Sequence, residues 1–101
     1  MQYGLSARTL QKIRDVLVRY PQVEEAVLYG SRARGDYKNG SDIDLTLRGN
    51  VELTHTILSQ IANDLDDQLL PYSVDLSIFK NIRNSEMIEQ VEQVGVALYK
   101  K

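Results

Sequence analysis

Apolar residues recur along this chain at two spacings, and the places where the spacing changes mark its elements. Over residues 6–20, Leu10, Ile13, Val16, Leu17 and Tyr20 fall three or four positions apart, which predicts an amphipathic helix ended by Pro21. Val23–Tyr29 predicts a first strand. In residues 43–48 the period is two: Ile43, Leu45 and Leu47 take one face, and Asp42, Asp44 and Thr46 take the other. Gly49 and Asn50 close that strand. Leu53, Ile57, Ile61, Leu65 and Leu69 then step by four, with Leu58 alongside, and predict a long amphipathic helix that stops before Pro71. Residues 74–79 predict a third strand, with Val74, Leu76 and Ile78 on one face and Asp75 and Ser77 on the other. Ser85–Val94 predicts a last helix carrying Met87, Ile88, Val91 and Val94, stopped by Gly95. Residues 96–99 predict a short extended tail that suits an edge strand.

Too little chain joins the first two strands for a crossover helix, so they are expected to be antiparallel. The long helix between the second and third permits a parallel crossover. The economical arrangement is an α/β (α+β) fold, a small mixed sheet with helices packed on one face. The 101 residues suit one domain, 1–101, with one modest core.

Composition changes this picture little, but it excludes several chemistries. The 14 acidic and 12 basic residues leave a net charge of -2, too little for general attraction to nucleic acid or an anionic membrane. The absence of cysteine removes disulfides, thiolate nucleophiles and cysteine-held zinc, and the lone His55 reads as a surface residue. No basic-then-apolar leader or long apolar run is present, so the expected location is cytoplasmic.

The chemistry gathers in residues 30–44, reading Gly-Ser-Arg-Ala-Arg-Gly-Asp-Tyr-Lys-Asn-Gly-Ser-Asp-Ile-Asp. Glycine lets a backbone approach a phosphate, amides opening a helical turn over residues 31–35 point at it, and the Ser31 hydroxyl adds a donor. Arg32 and Arg34 either reach phosphate oxygens or face solvent, and Tyr37 and Tyr72 either flank a nucleotide or serve the turns they sit in. Ser41 either joins the nucleotide site or caps its own turn. Asp42 and Asp44 share a strand face roughly 7 Å apart along the chain, a separation from which side chains converge on a metal pair. Asp75 joins them if the third strand lies beside the second. Three carboxylates on one face repel unless cations intervene, and magnesium prefers such ligands together with substrate phosphates. A Walker A loop is excluded by the lack of Gly-Lys-Ser/Thr, and an EF-hand by the β-like run after Asp44.

Gly30-Ser31, ten intervening residues, Asp42-Ile43-Asp44, and Asp75 within an apolar strand resemble the DNA polymerase β-type nucleotidyltransferase superfamily. The resemblance is to its minimal nucleotidyltransferases, the MNT antitoxins paired with HEPN toxins, and it spans nearly the whole chain. It implies the polymerase β-like fold, with Gly30 and Ser31 holding the triphosphate of ATP. It further implies that Asp42 and Asp44 bind two magnesium ions, and that Asp75 ligates one and helps deprotonate the acceptor. The implied activity is AMP transfer to a hydroxyl, a tyrosine of a cognate HEPN toxin. A catalytic subunit served by a separate small-molecule-binding subunit, and a non-catalytic antitoxin acting by occlusion, are the alternatives. A small helical protein is the implied partner, met through residues 94–99, with no membrane and no direct nucleic-acid contact.

Overall fold

A computed structural model describes residues 1–101. Ser6 opens the first helix, α1 (Ala7–Leu17), its hydroxyl accepting from the Thr9 N–H at 3.1 Å, so one free first-turn amide is satisfied. The helix ends before Tyr20, whose hydroxyl donates to Asp64 from the following turn. Strand β1 (Val23–Tyr29) leads into the single turn α2 (Ser31–Arg34), and β2 (Ile43–Gly49) returns antiparallel to β1. The helix α3 (His55–Asp67) begins at the Thr54 cap.

The step-of-four leucine pattern overruns α3 at both ends. Leu53 is buried ahead of the cap, whereas Leu69 lies beyond the helix at φ 54°, 85% exposed. A β3 strand (Val74–Ile78) runs parallel to β2, a 3₁₀ turn follows at Phe79–Asn81, and Asn84 caps α4 (Ser85–Val94). The chain finishes in β4 (Val96–Lys100), antiparallel to β1. The sheet order is β3-β2-β1-β4, a mixed four-stranded sheet with one parallel and two antiparallel pairings.

Strand alternation divides the sheet into two unlike faces. Ala26, Leu28, Ile43, Leu45, Leu47 and Ile78 join residues of α1 and α3 in one continuous core. The helices α1 and α3 therefore pack as the apolar pattern predicts. On the other face, a smaller cluster joins Val27 and Tyr29 to Val91 of α4, with Met87 and Phe79 against it. α4 thus departs from the expectation of helices on one face, because β1 is apolar on both sides. Gly95 makes this possible: a Cβ there would collide with the Val91 carbonyl and the Val27 side chain. No helix is long and apolar enough to cross a membrane.

Candidate active site

The polar row on the second face is set by pairing register. Tyr29 of β1 lies opposite Asp44 of β2, and Asp44 lies opposite Asp75 of β3. One position pair further along, Thr46 lies opposite Ser77, whose hydroxyl donates to Thr46 at 2.9 Å. Residues paired across strands share a face. The expectation that Asp75 joins Asp44 is therefore met by adjacent strands in parallel register, and exposed Asp42 immediately precedes β2.

Gly30 couples this row to the Gly-Ser turn. Its backbone sits at φ 77°, where side chains are strained, and an added Cβ would fall on the Asp44 carboxylate. The chain thus passes from the end of β1 over Asp44 into α2. The Gly35 and Asp36 amides close that turn on the Ser31 carbonyl at 2.9 and 3.2 Å. The Ser31 hydroxyl has no partner within the protein, so it is available to a ligand.

Charge is unevenly distributed here. Burial raises the Asp44 carboxyl above its usual range, the negative charges of Asp75 and Asp42 raise it further, and Arg34 opposes them. Arg34 therefore acts on the site electrostatically, while its guanidinium bonds Asp36 at 3.3 Å and Gln90 of α4 at 2.9 Å. Beside Asp44 lies Tyr29, 6% exposed, its phenol pushed up chiefly by burial, with Ser77 opposing and the charges of Asp44 and Asp75 adding to the rise. It stays protonated. The sequence pattern marks Tyr29 only as the end of the first strand; its place follows from alternation in β1 combined with the register to Asp44.

Arg32 and Ser41, both expected at the nucleotide, are bonded to each other within the turn. Arg32 is 2% exposed, and its Nε and Nη2 both donate to the Ser41 carbonyl, at 3.1 and 2.7 Å. Its Nη1 donates to the Tyr3 carbonyl at 3.0 Å. The rings of Tyr72 and Tyr37 lie 4.5 and 5.2 Å from the guanidinium, so these tyrosines flank an arginine. Ser41 also accepts from the Lys38 N–H at 2.9 Å, the turn-capping role. A buried cation needs its donors filled, and backbone carbonyls with aromatic faces fill them. Arg32 is a brace between the Gly-Ser turn and the residue preceding Asp42.

Hard carboxylate oxygens on a repelling face fit magnesium. No three acidic or histidine side chains are gathered closely enough to hold a metal ion by themselves. Magnesium does not require one, since it takes one or two carboxylates and completes its shell from phosphates and water.

The profile described as Polymerase beta, Nucleotidyltransferase matches residues 11–101. The chain belongs to this nucleotidyltransferase family. Among solved structures, it is similar to a chain of a toxin–antitoxin complex with AMP-PNP, at 25% identity and TM-score 0.73, covering 91% of this chain and 73% of that one. A second similar structure is the tri-AMPylated Shewanella oneidensis HEPN toxin in complex with MNT antitoxin, at 22% identity, TM-score 0.68 and coverage of 93% and 71%. A third is the toxin–antitoxin MntA-HepT, at 22% identity, TM-score 0.70 and coverage of 95% and 74%. No curated protein sequence matches the chain significantly. The fold and the nucleotidyltransferase class implied by the resemblance to MNT antitoxins are thereby shown.

Proposed function

We propose that the protein transfers AMP from ATP to a tyrosine hydroxyl of a HEPN-type partner and silences that partner as an antitoxin. The observation that carries this reading is the meeting of Gly30, Asp44 and Asp75: a phosphate-approach glycine lies on one carboxylate, and a second carboxylate sits beside it. Support comes from the similar structures, one holding AMP-PNP and another an AMPylated toxin.

In this reading the Gly30–Ser31 backbone and the Ser31 hydroxyl hold the triphosphate, and Arg34 offsets the acidity of the row. Asp42, Asp44 and Asp75 hold two magnesium ions, which when bound supply charge neutralisation and a more acidic acceptor hydroxyl. Asp75 approaches from the outer strand and takes the hydroxyl proton. The acceptor oxygen forms its bond to the α-phosphorus, the bond from that phosphorus to the bridging oxygen breaks, and pyrophosphate leaves. Tyr29 walls the row from below and excludes water.

The test is co-expression with the product of the adjacent gene, incubation with magnesium and ATP, and intact-mass measurement. An AMP adduct on a partner tyrosine is expected, abolished in EDTA. A neutralised but unmodified partner would replace transfer by occlusion.

A further inference from the structure

Asp75 lies on the last strand of the sheet, and the outer side of that strand is open. β3 pairs only with β2, and no other backbone segment bonds residues 74–78 from outside. The opposite edge, β4, is different. Its pairing with β1 carries a register shift at Ala26/Val27, and the chain there ends in Lys100 and Lys101. Bulges and lysines are the devices that protect sheet edges from pairing. β3 has neither, and its five residues keep unbroken register with β2.

A cavity of about 310 Å³ straddles this open edge, within the range of ligand-binding pockets. Leu58, Leu76 and Met87 give it apolar walls, and Ser77, Asn81 and Arg83 line its polar side. Ser77 is two residues from Asp75, one strand repeat of roughly 7 Å along the same face. Lys80 and Arg83 at this end of β3 take part in no ion pair. The neighbouring surface is acidic, with Glu86, Glu89 and Glu92 exposed on α4.

We infer that β3 is the acceptor's docking strand: an extended segment of the acceptor protein pairs with its outer edge, presents its hydroxyl at Asp75, and inserts one apolar side chain into the cavity beside Ser77 and Met87. This rests on the transfer reading above and adds where the acceptor is read. Residues opposite one another on adjacent strands share a face, so a residue paired with Asp75 faces the acidic row. A residue two positions along the same segment then reaches the cavity. Backbone pairing supplies affinity and the cavity supplies selectivity, as in other strand-addition interactions. An acidic residue flanking the acceptor is welcome at Lys80 and Arg83 and repelled by the rest of this surface.

Two measurements on the partner protein of the transfer assay test this. Mixing the two without nucleotide should slow hydrogen exchange at the outward amides of residues 74–78 at least tenfold, with β4 unchanged. Asn81→Trp, which narrows the cavity, and Arg83→Glu, which reverses its charge, both alter exposed positions outside the catalytic row. Each should raise the KM for the acceptor about tenfold or more, with kcat and magnesium-ATP affinity within twofold. Unprotected β3 amides, or an unchanged acceptor KM in both variants, would overturn the docking strand even if adduct forms. Protected β3 amides without any adduct would overturn the transfer reading and support the docking strand.

Discussion

The two faces of this sheet are built from the same strands and do opposite work. On one, Leu28, Ile43, Leu45 and Leu47 are completely buried beneath α1 and α3. On the other, α4 covers Val27 and Tyr29 while Asp44 stays half-buried and Asp75 exposed. Alternation along β2 places a fully buried leucine next to a carboxylate that its own neighbours disfavour. Stability is concentrated on the hydrocarbon face, through burial worth about 1.5–3 kcal/mol for each large side chain. That surplus lets the opposite face keep repelling charges for chemistry. Removing a residue from either face should therefore change one property and spare the other.

The largest separation is expected at Asp44. Asp44→Ala should cut transfer by about 10²–10⁴-fold, the range for losing a charge-stabilising or proton-handling group. Its melting temperature in EDTA at neutral pH should hold or rise, since Asp75 and Asp42 lose a repelling neighbour. A drop of several degrees would show that the acidic face carries stability after all. Asp75→Asn should leave magnesium-ATP affinity within a few-fold while losing transfer comparably, and native-rate transfer would remove Asp75 from the proton-accepting role.

Leu45→Ala probes the hydrocarbon face one residue away. Urea denaturation should show a loss of about 2–5 kcal/mol, the usual cost of deleting a buried leucine side chain. The protein that remains folded should bind magnesium-ATP normally. A loss below 1 kcal/mol would contradict the division of labour between the faces.

Arg32 joins the two properties, so Arg32→Lys should disturb both moderately. Lysine lacks the planar fork that bonds Ser41 twice and Tyr3 once, and the donors lost should cost about 1–3 kcal/mol in denaturation. Magnesium-ATP affinity should weaken through displacement of the segment before Asp42. Unchanged affinity in a destabilised variant would confine Arg32 to folding.

The smallest effect is with pH. The folded Asp44 carboxyl holds its proton above its ordinary range, so between the unfolded and folded pKa values the folded protein binds more protons. Stability in EDTA should therefore decline as pH rises through that window. Asp44→Asn should flatten the decline, and magnesium should offset it at neutral pH. Melting curves in EDTA from about pH 4 to pH 7, showing a slope that Asp44→Asn leaves intact, would assign it to another group.

Much of this was legible in the chain itself, because periodicity is local. The two-residue alternation of β2 and β3 already divided leucines from aspartates, and Gly30-Ser31 with Asp42 and Asp44 already marked the stretch that folds around the Asp44 carboxylate. Helix ends were less legible: Leu53 and Leu69 continue the apolar step, yet the Thr54 cap and a left-handed backbone at Leu69 stop α3 short of both. What only the tertiary structure decided is which identical side chains do which work. Arg32 and Arg34 stand two residues apart in the same turn. One is sealed between Tyr72, Tyr37 and two carbonyls, and the other lies near enough to Asp44 to shift its titration. Sequence carries the charge of each arginine, but burial and register are set by segments far away in the chain. The same holds for Tyr29, an apolar residue by local pattern that pairing with β2 turns into the wall of an acidic row.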